Sequence, residues 1–300
     1  MAELYMLVGL PGSGKTSWAN QMGSEDCVVC SSDALRKELF GSENVQDKNS
    51  KLFAELHRRI RQHLTEGRSV VYDATNINAK RRQAFLREIE KIYCKKIAVV
   101  FAVPFEKCLR NNWMRERKVP YEAMERMYKG WQMPYYFEGW DEILVVDDQA
   151  DIREYPIELN SYNQNNPWHE ETLGYHMLHT YYYVAHRTVN GPLWQAAFYH
   201  DIGKPFCRFE DDDSVSRYFG HENVGAYDAL SIYGLSLEAA ALINYHMRPM
   251  QWDQTDYPET TAEKYRKKWG KEFVDNLLLL HEADINSKEE SINGQISRES

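Results

Sequence analysis

The sequence predicts an α/β domain built on a doubly wound parallel sheet, followed by an all-α domain. In the first half, short β-rich runs alternate with amphipathic stretches, the pattern of parallel strands joined by right-handed helical crossovers. In the second half this alternation stops, and helical patterns follow one another. A chain of 300 residues, 43% of them hydrophobic, is long enough for two cores of about 150 residues each.

Five runs in the first half have the composition of strands, and helical patterns lie between them. Ligands of such a sheet bind at the carboxyl ends of its strands, so residues that directly follow a strand are the first candidates for function. We expect strands at Leu4–Val8, Cys27–Ser31, Ser69–Asp73, Ile97–Val103 and Ile143–Val146, and helices at 15–22, 48–66, 79–93 and 105–129.

The chain becomes polar and rich in turn-forming residues from Asp147 to Pro167, which indicates a domain boundary. The second domain is predicted to be helical throughout, and the last residues show no apolar periodicity, so we expect them to fray. We place the first domain at 1–150, a linker at 151–166, the second domain at 167–286 with helices at 168–188, 190–202, 221–233, 236–247, 259–268 and 270–285, and a polar tail at 287–300.

Composition excludes several classes of protein. The longest apolar run, Ile97–Phe105, is far shorter than the roughly 20 residues of a membrane-spanning helix. The N-terminus starts a strand pattern and carries no charged signal region, and the 5 scattered cysteines do not form a disulfide framework. We therefore expect a cytoplasmic protein that has reduced thiols and no membrane contact.

The net charge of −9 is unevenly distributed. Residues 1–150 carry 23 basic and 21 acidic side chains, whereas residues 151–300 carry 13 and 24. Within the first half, residues 51–118 hold 17 basic against 7 acidic side chains, an excess that would suit a polyanion. The alternative is that these arginines lie on ordinary solvated helix faces.

A phosphate-binding motif follows the first predicted strand and opens a helix. Gly9-Leu-Pro-Gly-Ser-Gly14-Lys15-Thr16 fits the pattern G-x-x-x-x-G-K-[ST]. Its glycines permit a turn whose amides surround a phosphate, Lys15 can reach the β- and γ-phosphates, and the Thr16 hydroxyl can ligate Mg²⁺. We expect a nucleoside triphosphate with Mg²⁺, bound by Gly9, Gly12, Ser13, Gly14, Lys15 and Thr16.

Further polar residues follow the second and third strands. Asp33 can accept a proton from an attacking hydroxyl, although the same aspartate could simply cap a helix. Asp73, Thr75 and Asn76 end the third strand at the same edge, as cofactor-binding residues or as formers of a turn. Arginines on a predicted helix before Val119-Pro120 could reach the transferred phosphoryl group, although some must be surface charge: Arg110, Arg115 and Arg117.

These motifs resemble the 5′-hydroxyl polynucleotide kinases of bacteriophages and bacterial RNA-repair enzymes. The resemblance covers about residues 1–146 and implies transfer from ATP, with Asp33 as general base and Arg36 on the substrate phosphate next to the 5′ end. It also implies a lid arginine on the γ-phosphate, which is Arg115 or Arg117. The resemblance rests on Gly9–Thr16, Ser32–Arg36, Asp73–Asn76 with Arg81-Arg82, Arg110-Asn111, Val119-Pro120 and Met127-Tyr128-Lys129.

Eight of the 10 histidines lie after residue 168. The adjacent pair His200-Asp201 closes an apolar helix, and Asp201 could bridge two metal ions there. Histidines mixed with carboxylates suit borderline divalent ions, although each histidine alone is more often packed or on the surface. The other candidates are His169, His176, His179, His221, His246 and Asp284.

Together these residues resemble the HD phosphohydrolase superfamily over about residues 165–285. The pattern H…HD…H…H…D is met by His176, His200, Asp201, His221, His246 and Asp284, with His179 as the alternative first ligand. The resemblance implies a site for two divalent ions, such as Mn²⁺, Ni²⁺, Fe²⁺ or Zn²⁺. It also implies that Lys204 binds the substrate phosphate, and it suggests His169 for the same role.

The two resemblances together predict a bifunctional enzyme that heals RNA or DNA ends. The kinase would phosphorylate a 5′-hydroxyl with ATP and Mg²⁺, and the HD domain would remove a 2′,3′-cyclic phosphate or 3′-phosphate. A separate RNA ligase would then seal the ends. One alternative is a nucleotide or metabolite kinase fused to an HD nucleotidase, which the acidic second half favours. Another is an HD signalling hydrolase regulated by nucleotide binding.

Overall fold

The computed structural model describes residues 1–42, 48–147, 153–167 and 170–296. These residues form two compact units. The first comprises 1–127 and 134–147, and the second comprises 128–133 and the described residues from 153 onward. The short segment 128–133 thus packs with the second unit, where the buried Trp131 ring lies edge-on to Tyr227 at a centroid distance of 5.2 Å. From sequence, this segment was expected within the first domain.

The first unit is built on a parallel sheet whose strand order is β2-β3-β1-β4-β5, which confirms the predicted fold class. Apolar residues such as Leu7 and Val99 are fully buried because helices cover the sheet. Ser31 pairs with Asp73 at the carboxyl ends of two neighbouring strands, which brings the residues that follow them to one edge. The strands are β1 (Ala2–Val8), β2 (Cys27–Ser31), β3 (Ser69–Asp73), β4 (Cys94–Ala102) and β5 (Glu142–Asp147).

One predicted helix of the first unit is interrupted. The sequence pattern suggested a single helix over 105–129, but the chain leaves the helix after Trp113 and re-enters one at Tyr121. The Asn112 side chain accepts from the Val119 amide at 3.0 Å and donates to the Val119 carbonyl at 2.8 Å, which closes the intervening loop. The helices are α1 (Lys15–Met22), α2 (Ser32–Phe40), α3 (Asn49–Thr65), α4 (Ala79–Glu88), α5 (Phe105–Trp113) and α6 (Tyr121–Lys129).

Among its described residues, the second unit is helical apart from its loops, an isolated bridge between Asn163 and Thr172, and one two-residue antiparallel pair, β6 (Phe209–Glu210) with β7 (Ser216–Arg217). Every side chain from Ala239 to Ile243 is fully buried, so one helix crosses the core. Within the described residues, no helix is both long and apolar enough to cross a membrane. The helices are α7 (Leu173–Ala185), α8 (Gly191–Tyr199), α9 (Lys204–Cys207), α10 (His221–Ser231), α11 (Leu237–Tyr245), α12 (Arg248–Asp253), α13 (Pro258–Trp269) and α14 (Lys271–Ile296).

The last helix differs from the sequence expectation. We expected the polar residues after Asn286 to fray, but α14 continues to Ile296. Its earlier turns are anchored by buried side chains such as Val274 and Leu277. Once a helix is nucleated, each added residue costs little, and no proline interrupts this one. The absence of apolar periodicity therefore did not stop the helix.

Candidate functional sites

The phosphate-binding loop runs from the end of β1 into α1, and its glycines are required by its backbone. Gly12 and Gly14 have φ values of +81° and +92°, in the left-handed region that favours glycine. A Cβ on Gly12 would lie 2.3 Å from the Cys108 carbonyl oxygen, so a larger residue would displace α5. The Asn111 side chain also donates to the Gly12 carbonyl at 2.8 Å. The loop is thus held in shape by the neighbouring helix.

Lys15 is buried against this loop. Its Nζ donates to the Leu10 carbonyl at 2.6 Å and to the Ser13 hydroxyl at 3.3 Å. Burial lowers the pKa of Lys15 to about 8, although the nearby Asp73 carboxylate acts in the opposite direction. A bound triphosphate would supply the negative charge that favours the ammonium form.

Thr16 and Asp73 meet at the carboxyl edge of the sheet. The Thr16 hydroxyl donates to Asp73 Oδ2 at 3.1 Å, and burial raises the pKa of Asp73. A hydroxyl beside a carboxylate is the oxygen pair that would hold Mg²⁺ in a phosphate-loop enzyme. The residues therefore fit the predicted metal.

Thr75 and Asn76 contact the start of the phosphate loop. The Thr75 carbonyl accepts from the Gly9 amide at 3.0 Å. Asn76, with φ +45°, donates from its side chain to the Leu7 carbonyl at 2.9 Å. These contacts match the turn-forming alternative, because both residues fix the backbone at the point where β1 becomes the loop.

Asp33 lies in the first turn of α2, but it does not cap the helix. The Ser31 hydroxyl accepts from the Ala34 amide at 3.5 Å and is the N-cap. The capping alternative for Asp33 is therefore wrong. Instead, Asp33 Oδ1 accepts a hydrogen bond from Arg36 and forms an ion pair with Arg117, each at 2.8 Å. The carboxylate is held by two guanidinium groups at the entrance to the phosphate loop.

Arg36 is the better buried of these two arginines. Only 5% of Arg36 is exposed, and its second terminal nitrogen donates to Asn49 Oδ1 at 3.0 Å. Its Nε is buried and has no hydrogen-bond partner among the described residues. The guanidinium therefore has a fixed position, and its Nε–H remains able to donate to a ligand.

A cavity of about 640 Å³ connects these groups. Asn49, Phe53, Arg81 and Arg126, which the sequence analysis did not assign to the site, also line it. The described lining does not include Arg110. Arg115 and Arg117 lie in the loop between α5 and α6, so their predicted placement on a helix is wrong. The predicted residues that share the cavity are Lys15, Thr16, Asp33, Arg36, Asp73, Thr75, Arg115 and Arg117.

The basic excess of residues 51–118 divides into two populations. Arginines on α3 form ion pairs with acidic residues, as expected of a solvated helix face. By contrast, Arg81 and Arg115 line the cavity and form no ion pair with any residue that the structure describes; the same holds for Arg126, which lies beyond this range. The paired arginines are Arg58 with Glu55, Arg59 with Glu38 and Glu55, and Arg61 with Glu88.

The second unit brings all six proposed metal ligands together in two groups. His176, His200 and Asp284 form one group, and Asp201, His221 and His246 form the other. Within each group, the ligand atoms lie within 4.8 Å of one another.

Asp201 lies between the two groups. Its Oδ2 is 3.2 Å from His200 Nε2 and 3.4 Å from His176 Nε2, whereas its Oδ1 is 3.1 Å from His221 Nε2. Burial alone would raise the pKa of Asp201, but Lys204 and His200 hold that pKa well below its usual range. An ionised carboxylate with one oxygen toward each group fits a bridging ligand for two divalent ions.

Each imidazole is oriented by the nitrogen that faces away from the site. The Nδ1 atoms of His200, His221 and His246 lie 2.7–2.9 Å from backbone carbonyl oxygens, which can only accept. These Nδ1 atoms must donate, so each Nε2 keeps its lone pair for a metal. His176 Nδ1 lies 3.2 Å from the Ser287 hydroxyl, which donates to the Asp284 carbonyl at 3.0 Å. The donor set therefore fits borderline divalent ions.

Lys204 is buried beside the bridging aspartate. Its Nζ donates to Asp201 Oδ2 at 2.6 Å and to Gln164 Oε1 at 2.7 Å. Gln164 is fully buried and comes from the segment expected to be a linker. Gln164 was not among the predicted site residues, because a glutamine among turn-forming residues carries no signal of a distant lysine.

The other histidine candidates lie outside the two groups. His179 Nδ1 lies 3.0 Å from Glu171 Oε2, and 40% of the His179 side chain is exposed. His176 is therefore the histidine of α7 that faces the other candidate ligands. His169 lies outside the described residues.

Comparison with known families agrees with this division. Residues 4–134 match the family model described as an AAA domain, and residues 173–287 match that of the HD domain. The chain therefore contains a P-loop kinase domain on a five-stranded parallel sheet, followed by an all-helical region that matches the HD domain.

Individual relatives cover only part of the chain. The L-seryl-tRNA(Sec) kinase of Methanococcus maripaludis is 24% identical over 177 residues, which are 54% of this chain and 66% of that kinase. A putative kinase from Chloroflexus aurantiacus matches at a TM-score of 0.41 with 16% identity, over 49% of this chain and 85% of its own. A chain of a Pnkp1/Rnl/Hen1 complex matches at 0.35 with 23% identity, over 40% of this chain and 41% of its own.

Proposed function

We propose that this chain heals nucleic-acid ends with two activities. The P-loop unit transfers a phosphoryl group from ATP to a 5′-hydroxyl, and the HD unit removes a 2′,3′-cyclic phosphate or 3′-phosphate. The observation that carries the proposal is the common cavity of Lys15, Asp33 and Arg36, lined by arginines without acidic partners. A neutral sugar acceptor would leave those arginines without a counter-charge.

In the kinase reaction, the phosphate loop and Lys15 bind the β- and γ-phosphates, and Thr16 with Asp73 would hold Mg²⁺. Asp33 accepts the proton of the 5′-hydroxyl, and the oxygen of that hydroxyl bonds to the γ-phosphorus. The bond from that phosphorus to the β–γ bridging oxygen breaks, and ADP leaves. Arg36 holds the acceptor phosphate, and Arg117 keeps the Asp33 carboxylate in place.

Arg115 is the better candidate for the γ-phosphate contact. It lines the same cavity and lies close enough to Lys15 to lower its pKa. Arg117, in contrast, contacts Asp33 at 2.8 Å. We therefore assign the lid role to Arg115 and the positioning role to Arg117.

In the phosphoesterase reaction, the two ligand groups would hold divalent ions. Such ions polarise a phosphoryl oxygen and acidify water at the same centre. The chain's own contribution is to fix the four imidazoles through their Nδ1 atoms and to keep Asp201 ionised beside Lys204. Lys204 also places one positive charge where the substrate phosphate would enter.

The hydroxyl of a serine attached to tRNA is the second candidate acceptor. It is favoured by the similarity to L-seryl-tRNA(Sec) kinase, which extends over 54% of this chain. That acceptor is also polyanionic, so the cavity arginines suit both candidates. The HD unit favours the first, because a phosphoesterase and a 5′ kinase act on the two ends of one broken strand.

The decisive experiment incubates γ-labelled ATP with 5′-hydroxyl RNA, 5′-hydroxyl DNA and seryl-tRNA in parallel. We expect label on the oligonucleotides, and loss of transfer in Asp33→Asn but not in Asp26→Asn, an exposed aspartate outside the cavity. RNA ending in a 2′,3′-cyclic phosphate is tested with Mn²⁺ in the same preparations. Label on seryl-tRNA alone, or on no nucleic acid, would refute the proposal.

A further inference from the structure

The cavity holds more positive charge than one acceptor phosphate requires. Arg36 already serves the phosphate next to the reacting hydroxyl under the proposed function, and Arg115 lies toward Lys15. Two further arginines, Arg81 and Arg126, line the same space and are exposed. Neither forms a hydrogen bond from its side chain or an ion pair with any described residue.

Arg81 contrasts with the arginine that follows it. Arg82 is 1% exposed, donates to both carboxylate oxygens of Glu138 at 2.6 and 2.8 Å, and donates to the Asn76 carbonyl at 2.9 Å. Its charge is therefore fully used inside the protein. Arg81 has no such partner and lines the cavity, so its guanidinium is available to bind an anion that enters the cavity.

The position of Arg81 places it toward the acceptor side. Burial and the Glu88 charge raise the pKa of the Tyr72 hydroxyl, and the nearby Arg81 charge partly opposes them. That hydroxyl lies 3.1 Å from His57 Nε2 on α3. The same helix carries Asn49, which fixes Arg36, and Phe53, which lines the cavity. Arg81 thus lies toward the helix that also supports the Arg36 subsite.

Arg126 reaches the cavity from α6. Ala123, Arg126 and Met127 all line the cavity, and their spacing of three and four residues puts them on one face of that helix. Arg126 is exposed at the cavity wall. This helix face therefore presents one positive charge between two apolar side chains.

We propose that Arg81 and Arg126 bind phosphates of the acceptor strand beyond the one held by Arg36, so that the preferred acceptor is an oligonucleotide and not a mononucleotide. This inference rests on the proposed function. Guanidinium groups match phosphate geometry, and each such contact that is lost weakens binding by about tenfold. It also reduces the slope of affinity against salt by about 0.7 per phosphate contact on a single strand.

The test measures KM for 5′-hydroxyl acceptors of one, two and four nucleotides, each with a 3′-phosphate, at several salt concentrations. Initial rates are taken without added transition metal, and mass spectrometry verifies that the 3′-phosphate is retained. The KM of the native protein for the tetranucleotide should be lower than its KM for the mononucleotide by about tenfold or more. Arg81→Ala and Arg126→Ala should each raise KM for the tetranucleotide about tenfold, and leave KM for the mononucleotide and for ATP within about twofold. Arg87→Ala, an exposed arginine on α4 outside the cavity, is the matched control.

Arg81→Lys and Arg126→Lys keep the charge and should retain most of the salt dependence, which separates a phosphate contact from a change in folding. A variant that raises KM for ATP, or for all acceptors equally, would overturn the inference while leaving the kinase assignment intact. Equal KM for all acceptor lengths in the native protein would do the same. If the native protein labels no acceptor, the proposed function itself fails, and the inference fails with it.

Discussion

The kinase cavity and the metal centre obtain their counter-charges from different sources. In the metal centre, the carboxylates of Asp201 and Asp284 lie among four imidazoles, and all but Asp284 are almost fully buried. In the kinase cavity, the only acidic lining residues among those described are Asp33 and Asp73, against six arginines and lysines besides Lys15. The candidate metal centre carries its own anions, whereas under the proposed function the cavity obtains them from the phosphates of its ligands.

The two sites also differ in how firmly their side chains are held. The Nδ1 atoms of His200, His221 and His246 are held by backbone carbonyl oxygens, so these imidazoles are oriented before any ion binds. In the cavity, the Asp33 side chain is 41% exposed, and Arg115 and Arg117 lie in the loop between α5 and α6. We expect substitutions in the metal centre to act on metal occupancy, and those in the cavity to act on nucleotide binding, acceptor binding or turnover.

The largest effect is expected from Asp201→Ala. The change removes a ligand from both groups at once and leaves four imidazoles with less compensating negative charge. Phosphoesterase activity should fall by more than the roughly 10–100-fold that follows loss of a residue hydrogen-bonded to a ligand. Bound metal, measured by elemental analysis, should fall with it.

The same variant also tests whether the two sites are independent. The sites use different residues in units that have separate cores, so 5′ phosphorylation by Asp201→Ala should stay within about twofold of the native rate. Conversely, Lys15→Ala should leave hydrolysis of a 2′,3′-cyclic phosphate unchanged. A strong loss of the second activity in either variant would favour a hydrolase regulated by the nucleotide.

Asp33→Asn should lower the kinase rate by about 10²–10⁴-fold, because the amide cannot accept the proton of the acceptor hydroxyl. The amide oxygen can still accept from Arg36, and Asp33 does not contact the phosphate loop directly, so ATP affinity should persist. Lys15→Ala, which acts on the phosphates, should weaken ATP binding as well. ATP titration and initial rates measured together separate the two roles, and a near-native rate in Asp33→Asn would exclude this carboxylate as the base.

Ser287→Ala should have a smaller effect on the metal centre. The hydroxyl links His176 Nδ1 to the Asp284 carbonyl, so its loss frees the imidazole to turn. We expect metal affinity to fall about 10–100-fold, as measured by competition with a chelator. Ser231→Ala is the matched control, because that buried hydroxyl has no hydrogen-bond partner among the described residues. Equal affinities in the two variants would argue against an orienting role for Ser287.

Local patterns in the sequence predicted the features that short stretches encode. The five strands, the phosphate loop and the helix that ends in His200-Asp201 each depend on neighbouring residues, and each is found close to its expected place. The ligand groups also assembled from the predicted residues, because buried helices leave few positions where imidazoles can meet. Their functional roles remain predictions.

Contacts between residues that are distant in sequence escaped prediction. The Asn112–Val119 bonds end a helix that periodicity alone would continue, and the Lys204–Gln164 bond joins residues 40 positions apart. A count of charged residues also does not show which arginines form ion pairs in the folded protein. Arg59 and Arg81 contribute alike to the basic excess, yet only Arg59 has acidic partners.

The smallest effect is expected from pH, and it tests the claim that the cavity lacks its own counter-charge. Burial lowers the pKa of Lys15 to about 8 in the free protein, below its ordinary value of 10.5. Such a group destabilises the fold while charged, so the stability of the free protein should rise between pH 8 and 10.5. ATP binds the charged form, which raises this pKa again, so the affinity should be flat below pH 8 and fall above it.

We expect the dissociation constant for ATP to rise roughly fivefold from pH 8 to pH 9, as measured by calorimetric titration in two buffers of different ionisation enthalpy. Proton uptake should accompany ATP binding at pH 9, where Lys15 is mostly neutral in the free protein. It should vanish at pH 7, where Lys15 is already charged before ATP binds. Lys15→Arg, which stays charged, should flatten the profile, whereas the exposed Lys80→Ala should keep it. If the affinity of the native protein for ATP does not change from pH 7 to pH 9, Lys15 stays charged in the free protein. The cavity would then supply the counter-charge of Lys15 without a ligand.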